Sequence, residues 1–119
     1  MGIMPSILAL EENEVSSEKS EEELTNQLYV IMQPTRLKIV KLLREGKPLY
    51  IEQIAEKIGE DRRSVSFHLA TLAEYGFVEG DYEIIQEADK NPGVGRAAKF
   101  YKLTTKIDDV LKRLDHILV

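Results

Sequence analysis

Between residues 50 and 76 the chain runs twice from an apolar helical stripe into a glycine stop. No other feature of the sequence constrains the fold as strongly. Ile51, Ile54, Ala55 and Ile58 recur at i, i+3, i+4 and i+7, the period of one buried helix face, and Gly59 supplies a left-handed stop. Only Glu60 and Asp61 intervene before a second helix, predicted from about 62 to 75, with Asp61 as its N-cap and Gly76 as its end. Two short helices joined by a three-residue, glycine-containing turn have the form of a helix-turn-helix.

The flanks extend this pattern. Ser20 and Glu23 have the spacing of a capping box, and Leu24, Leu28 and Ile31 follow at helical spacing to about residue 32. Pro34 forces Gln33 into an extended conformation and opens another helix carrying Leu37, Ile39, Val40, Leu42 and Leu43, which Gly46 stops. After Gly76 the pattern turns to β-formers, and Lys90-Asn91-Pro92-Gly93-Val94-Gly95 has turn chemistry. Lys99 to Leu103 then resumes alternation, predicting a hairpin. A last helix begins near Thr105, with Asp108 placed to complete a cap, and carries Ile107, Val110, Leu111, Leu114, Ile117 and Leu118. The fold class is therefore mainly α with a small β-hairpin: a winged helix-turn-helix of five helices plus a two-stranded wing. Residues 1–20 form an acidic N-terminal arm, whose Ile3, Ile7, Leu8 and Leu10 are either part of a loose tail or a short docking helix. Residues 21–119 form the winged-helix domain.

The run DRRSVSFHLATLAEYGF, residues 61–77, carries the chemistry. At 100° per residue, Val65, Leu69, Leu72 and Gly76 fall within about 60° of arc, a core stripe. Arg63, Phe67, Ala70, Thr71 and Glu74 occupy the opposite arc, Ser64 and Ser66 lie on the shoulders, and His68 sits beside the stripe. A helix of this width fits the DNA major groove, with its first turn, here Arg62 and Arg63, reaching the bases first. Arginine grips guanine or phosphate, and short serines permit close approach. The plain alternative is a solvated helix face. Lys90, Arg96, Lys99 and Lys102 make a second basic cluster on the wing, whose small-residue tip suits the phosphate backbone or the minor groove.

Other chemistries are disfavoured. The chain has no cysteine, which removes disulfides, thiolate metal sites and cysteine nucleophiles. No Ser/His/Asp ordering accompanies His68, and the glycines near residue 93 precede a strand where a phosphate loop requires a helix, so no enzyme is expected. The net charge of −5 looks unfavourable for a nucleic-acid binder. It is concentrated in residues 1–30, where seven acids and one base give −6, whereas the remaining fifteen bases and fourteen acids give +1. No apolar run is long enough to span a membrane, and no secretory leader is evident.

The sequence resembles the ArsR-like (arsenical-repressor-like) winged helix-turn-helix regulators. Arg63-Ser64-Val65-Ser66-Phe67-His68-Leu69, then Leu72 and Gly76-Phe77-Val78, is similar to their recognition helix. Pro34 to Leu43 and Ile51 to Gly59 are similar to two earlier helices, and the resemblance covers roughly residues 30–119. It implies a transcription regulator with helix 62–75 in the major groove and wing 84–103 on the flanking backbone or minor groove. His68 occupies the family's histidine position, which implies a polar contact near DNA; a half-buried imidazole bonded within the fold is the alternative. Phe67 departs from the polar or basic residue usual there.

Relatives often sense metals through Cys or Asp/His pairs on the last helix. Here Asp109 and His116 are seven residues apart, roughly 10 Å along the axis. With Asp108 and Asp115 they lack the close pairing a zinc site uses, so neither metal nor other cofactor is expected.

The sequence-based expectation is thus a cytoplasmic homodimer binding double-stranded DNA. Its contacts are Arg62, Arg63, Ser64, Ser66, Phe67, His68, Thr71, Lys90, Arg96 and Lys99. Leu24, Leu28, Ile31, Ile107, Val110, Leu111, Leu114, Ile117 and Leu118 form the dimer interface, because they offer more apolar surface than a small body covers alone. The rival from another class is a winged-helix adaptor that binds protein and no DNA.

Overall fold

The computed structural model describes residues 20–86 and 95–119. Helix α1 occupies 20–32. It is followed by α2 (Pro34–Leu43), a two-residue strand β1 (Leu49–Tyr50), α3 (Ile51–Ile58), α4 (Arg62–Glu74), β2 (Val78–Gln86), β3 (Gly95–Leu103) and α5 (Lys106–Leu118). The expected arm and Lys90 at the wing tip lie outside the described residues, apart from Ser20.

The local signals act as the sequence implies at most boundaries. Gln33 is extended (ψ 133°) and its side chain accepts from Arg36 N–H, while Pro34 fills the first helical position, where a missing N–H costs nothing. Gly59 closes α3 at φ 70°, a conformation that strains any residue with a Cβ. Asp61 accepts from Ser64 N–H at 2.8 Å and so caps α4. The stripes then meet: Ile54 of α3, Val65, Leu69 and Leu72 of α4, Ile39 of α2 and Phe77 beyond α4 are all fully buried in one core.

The two-stranded wing is present as β2 and β3, and the short β1 joins it along β3, so the described residues hold a three-stranded antiparallel sheet in the order β1-β3-β2. Leu49 pairs with Tyr101 and Tyr50 with Phe100, whose rings meet edge to face at 5.2 Å between centroids. Two residues are too few to show a period of 2, so β1 has no signature in the sequence. β2 and β3 pair from Val78↔Leu103 out to Gln86↔Gly95.

One expected cap is replaced. Thr105 is already helical (φ −69°, ψ −11°) and makes no side-chain cap. Thr104 serves instead: its hydroxyl accepts from Lys106 N–H at 3.2 Å and donates to Gly76 O at 2.6 Å, joining the start of α5 to the end of α4. Ser20 is itself helical, and its hydroxyl accepts from Arg113 at 2.7 Å. The same guanidinium reaches Ser20 O and Gln27, so α5 lies against α1 and the two ends of the described chain are tied together.

Candidate nucleic-acid interface

α4 is fixed from its inner side. Val65, Leu69 and Leu72 have no exposed surface, and the helix is thereby rotated so that Arg62, Arg63, Ser66, Phe67, Ala70 and Glu74 face solvent. Ser64, His68 and Thr71 are half-buried on the shoulders. Phe67 is 64% exposed, an apolar ring held on a polar face, and its edge meets His68 in a T-shaped contact at 5.2 Å.

His68 is engaged inside the fold. Arg36, buried on α2, donates from its Nε to Val30 O at 2.5 Å and from Nη1 to His68 Nδ1 at 3.0 Å. Because a guanidinium only donates, Nδ1 is the acceptor and the proton of the neutral ring sits on Nε2. Burial pushes the His68 pKa down, the Arg36 charge pushes it further, and the Glu60 carboxylate partly opposes both. Glu60, in the turn between α3 and α4, accepts from the Thr35 hydroxyl at 2.7 Å and pairs with Lys38 at 3.4 Å. The Thr35 bond and the Lys38 charge hold its carboxyl below the usual range. Two polar groups centred on α2, Arg36 with Val30 O and His68, and Thr35 and Lys38 with Glu60, therefore fasten α1, α2, the turn and α4 to each other.

On the outer side, the first turn of α4 meets the wing. Glu52, in the first turn of α3, places its Oε1 3.5 Å from Arg62 Nη1 and 3.6 Å from Arg96 Nη1. Arg96, on β3, also lies over the Tyr50 ring at 5.8 Å. Lys99 stands between Tyr82 and Tyr101, its Nζ 5.8 and 5.7 Å from the two ring centres. Its stem runs over Gly80, where an added Cβ would meet Lys99 carbons at 2.8 and 2.9 Å. Tyr50, Glu52, Arg62, Tyr82, Arg96 and Lys99 line a cleft of about 230 Å³.

The fold thus brings Arg62, Arg96 and Lys99 to one place, with Arg63, Ser66 and Phe67 continuing along the same helix face. Lys102, by contrast, pairs with Glu79 further down the sheet. Sequence reasoning missed Glu52, Tyr50, Tyr82 and Arg36. The i, i+3 spacing of Tyr50 and Gln53, whose side chain accepts from Tyr50 N–H at 3.1 Å, marks the start of α3 and puts Glu52 in its first turn. Of the expected interface leucines and their neighbours, Leu24, Ile31, Ile107 and Val110 are buried within the single chain. Leu111, Ile117 and Leu118 on α5 stay exposed, as do Tyr29 (78%) and Met32 (60%) on α1. Among the described residues no three metal-ligating side chains gather at a point, and no helix is long and apolar enough to cross a membrane.

The fold is a winged helix-turn-helix. A family model described as a helix-turn-helix domain matches residues 31–81, from the end of α1 into β2. Thirteen solved chains match. Among them is the crystal structure of the transcriptional repressor BigR from Xylella fastidiosa, with 28% identity and a TM-score of 0.60 over 76% of this chain and 77% of that one. No curated protein matches. The resemblance to winged helix-turn-helix regulators drawn from the sequence is borne out, and these matches support a DNA-binding transcriptional regulator.

Proposed function

We propose that this protein is a homodimeric, sequence-specific DNA-binding transcriptional regulator of the cytoplasm. The observation that carries this reading is the convergence of Arg62 on α4 with Arg96 and Lys99 on the wing, beside an outward row of Arg63, Ser66 and Phe67. α4 enters the major groove, Arg62 and Arg63 grip guanine edges or phosphates, and the Phe67 ring packs on thymine methyl groups. Ser64 and Thr71 border the groove, while His68 supports the helix through Arg36. The wing, to which the sequence adds Lys90, follows the flanking backbone or the minor groove. The exposed Tyr29, Met32, Leu111, Ile117 and Leu118 supply a two-fold contact, which sets two recognition helices about one DNA turn apart. Similarity to a protein described as a transcriptional repressor favours repression by occupancy of an operator.

The test is selection of bound DNA from a random pool with the protein mass measured alongside. A pseudopalindromic site and a dimer are expected, and Arg63→Ala or Arg96→Ala each weakens retardation several-fold at fixed salt. Unchanged retardation in both variants overturns the contact assignment. A pure protein that shows no salt-dependent DNA binding yet retains a protein partner is an adaptor.

A further inference from the structure

We infer that Glu52 is a built-in competitor for the DNA phosphate, a positioning residue that joins the recognition helix to the wing and sets the strength of binding. This rests on the DNA-binding reading above. A single carboxylate oxygen lies within 3.6 Å of one guanidinium from α4 and one from β3, elements that no local sequence signal brings together. A phosphate oxygen bridging recognition helix and wing would have to occupy the same place, because both arginines are turned toward it. Tyr50 holds Arg96 from behind through its ring, so that guanidinium stays near the cleft whether a carboxylate or a phosphate faces it.

The exchange is cheap. All three side chains are partly exposed, and exposed ion pairs are weak and screened by salt. Glu52 therefore pre-arranges two arginines around one anion position but yields to a stronger anion. It also lowers affinity for any DNA, since its charge stays beside the phosphate that displaces it. On a body whose charge is close to zero, that single acid moderates how far the protein is retained on arbitrary sequence.

Glu52→Gln keeps the size of the side chain and one accepting oxygen, and removes the charge. Glu56→Gln on the same helix removes an equal charge from an exposed position away from the cleft. The readout is affinity for an arbitrary duplex and for the selected site, each at several salt concentrations. Glu52→Gln is expected to tighten both by roughly three- to tenfold with a steeper salt dependence, and Glu56→Gln by less than about twofold. In an Arg96→Ala background the gain from Glu52→Gln should shrink, because one of the two released cations is gone. Equal effects of Glu52→Gln and Glu56→Gln, or weaker binding by Glu52→Gln, overturn the inference while DNA binding by the unaltered protein keeps the functional reading intact. Absence of DNA binding by the unaltered protein overturns that reading itself.

Discussion

Two sets of charged residues hold the two sides of α4, and they behave oppositely. On the inner side Arg36 is 9% exposed and bonded to a backbone carbonyl and an imidazole; on the outer side Arg62 and Arg96 share Glu52 in partial contact with water. A buried guanidinium has no substitute for its partners, so its bonds specify how α1, α2 and α4 dock. An exposed one exchanges a carboxylate for phosphate at little cost. The same residue type therefore does architecture on one face and recognition on the other, and desolvation is what separates the two roles.

Arg36→Leu attacks the inner set directly and carries the largest expected effect on stability. It strands Val30 O and His68 Nδ1 inside the protein, and a loss of about 2–4 kcal/mol is expected in denaturant unfolding. A loss below about 0.5 kcal/mol would mean that the inner set holds as loosely as the outer one.

Next in size is the response to acid. His68 has a folded pKa below its unfolded value, so the folded state resists protonation. Its contribution is complete above the unfolded pKa of about 6.5 and is lost as pH falls through that value toward the folded pKa. Melting curves between about pH 7.5 and 5.5 should show this loss, and His68→Gln, which can still accept from Arg36, should flatten the slope in that window. An identical slope in the variant would assign the acid response to other groups.

The smallest stability effect belongs to the outer set. Arg62→Ala breaks only an exposed pair with Glu52 and should change unfolding free energy by less than about 0.5 kcal/mol while weakening DNA binding several-fold. Should it instead melt the protein as severely as Arg36→Leu, the contrast between the two sides of α4 would fail.

Much of the fold was legible because its signals are local. Asp61, Gly59 and Gly76 mark their helix ends through side-chain chemistry or positive φ, and the stripe Val65, Leu69, Leu72 appears at helical spacing before any packing is known. The site was legible only in part. Arg63 and Phe67 face outward as the wheel implies, but nothing in spacing could show that Glu52 stands between Arg62 and Arg96. His68 is bonded to a residue 32 positions earlier, and Thr104 in place of Thr105 is chosen by a carbonyl 28 positions away.

The sequence by itself determined the helices, their stops, the turn between α3 and α4, and which arc of α4 is apolar, because each depends on neighbours within one or two turns. Tertiary structure alone decided that β1 joins the sheet, that four of the nine expected interface residues are buried in the chain's own core, and that an acid from α3 meets the arginines of two other elements. Those outcomes depend on distances between segments far apart in the chain, and such distances exist only once the core of Ile39, Ile54, Leu69, Leu72 and Phe77 has closed.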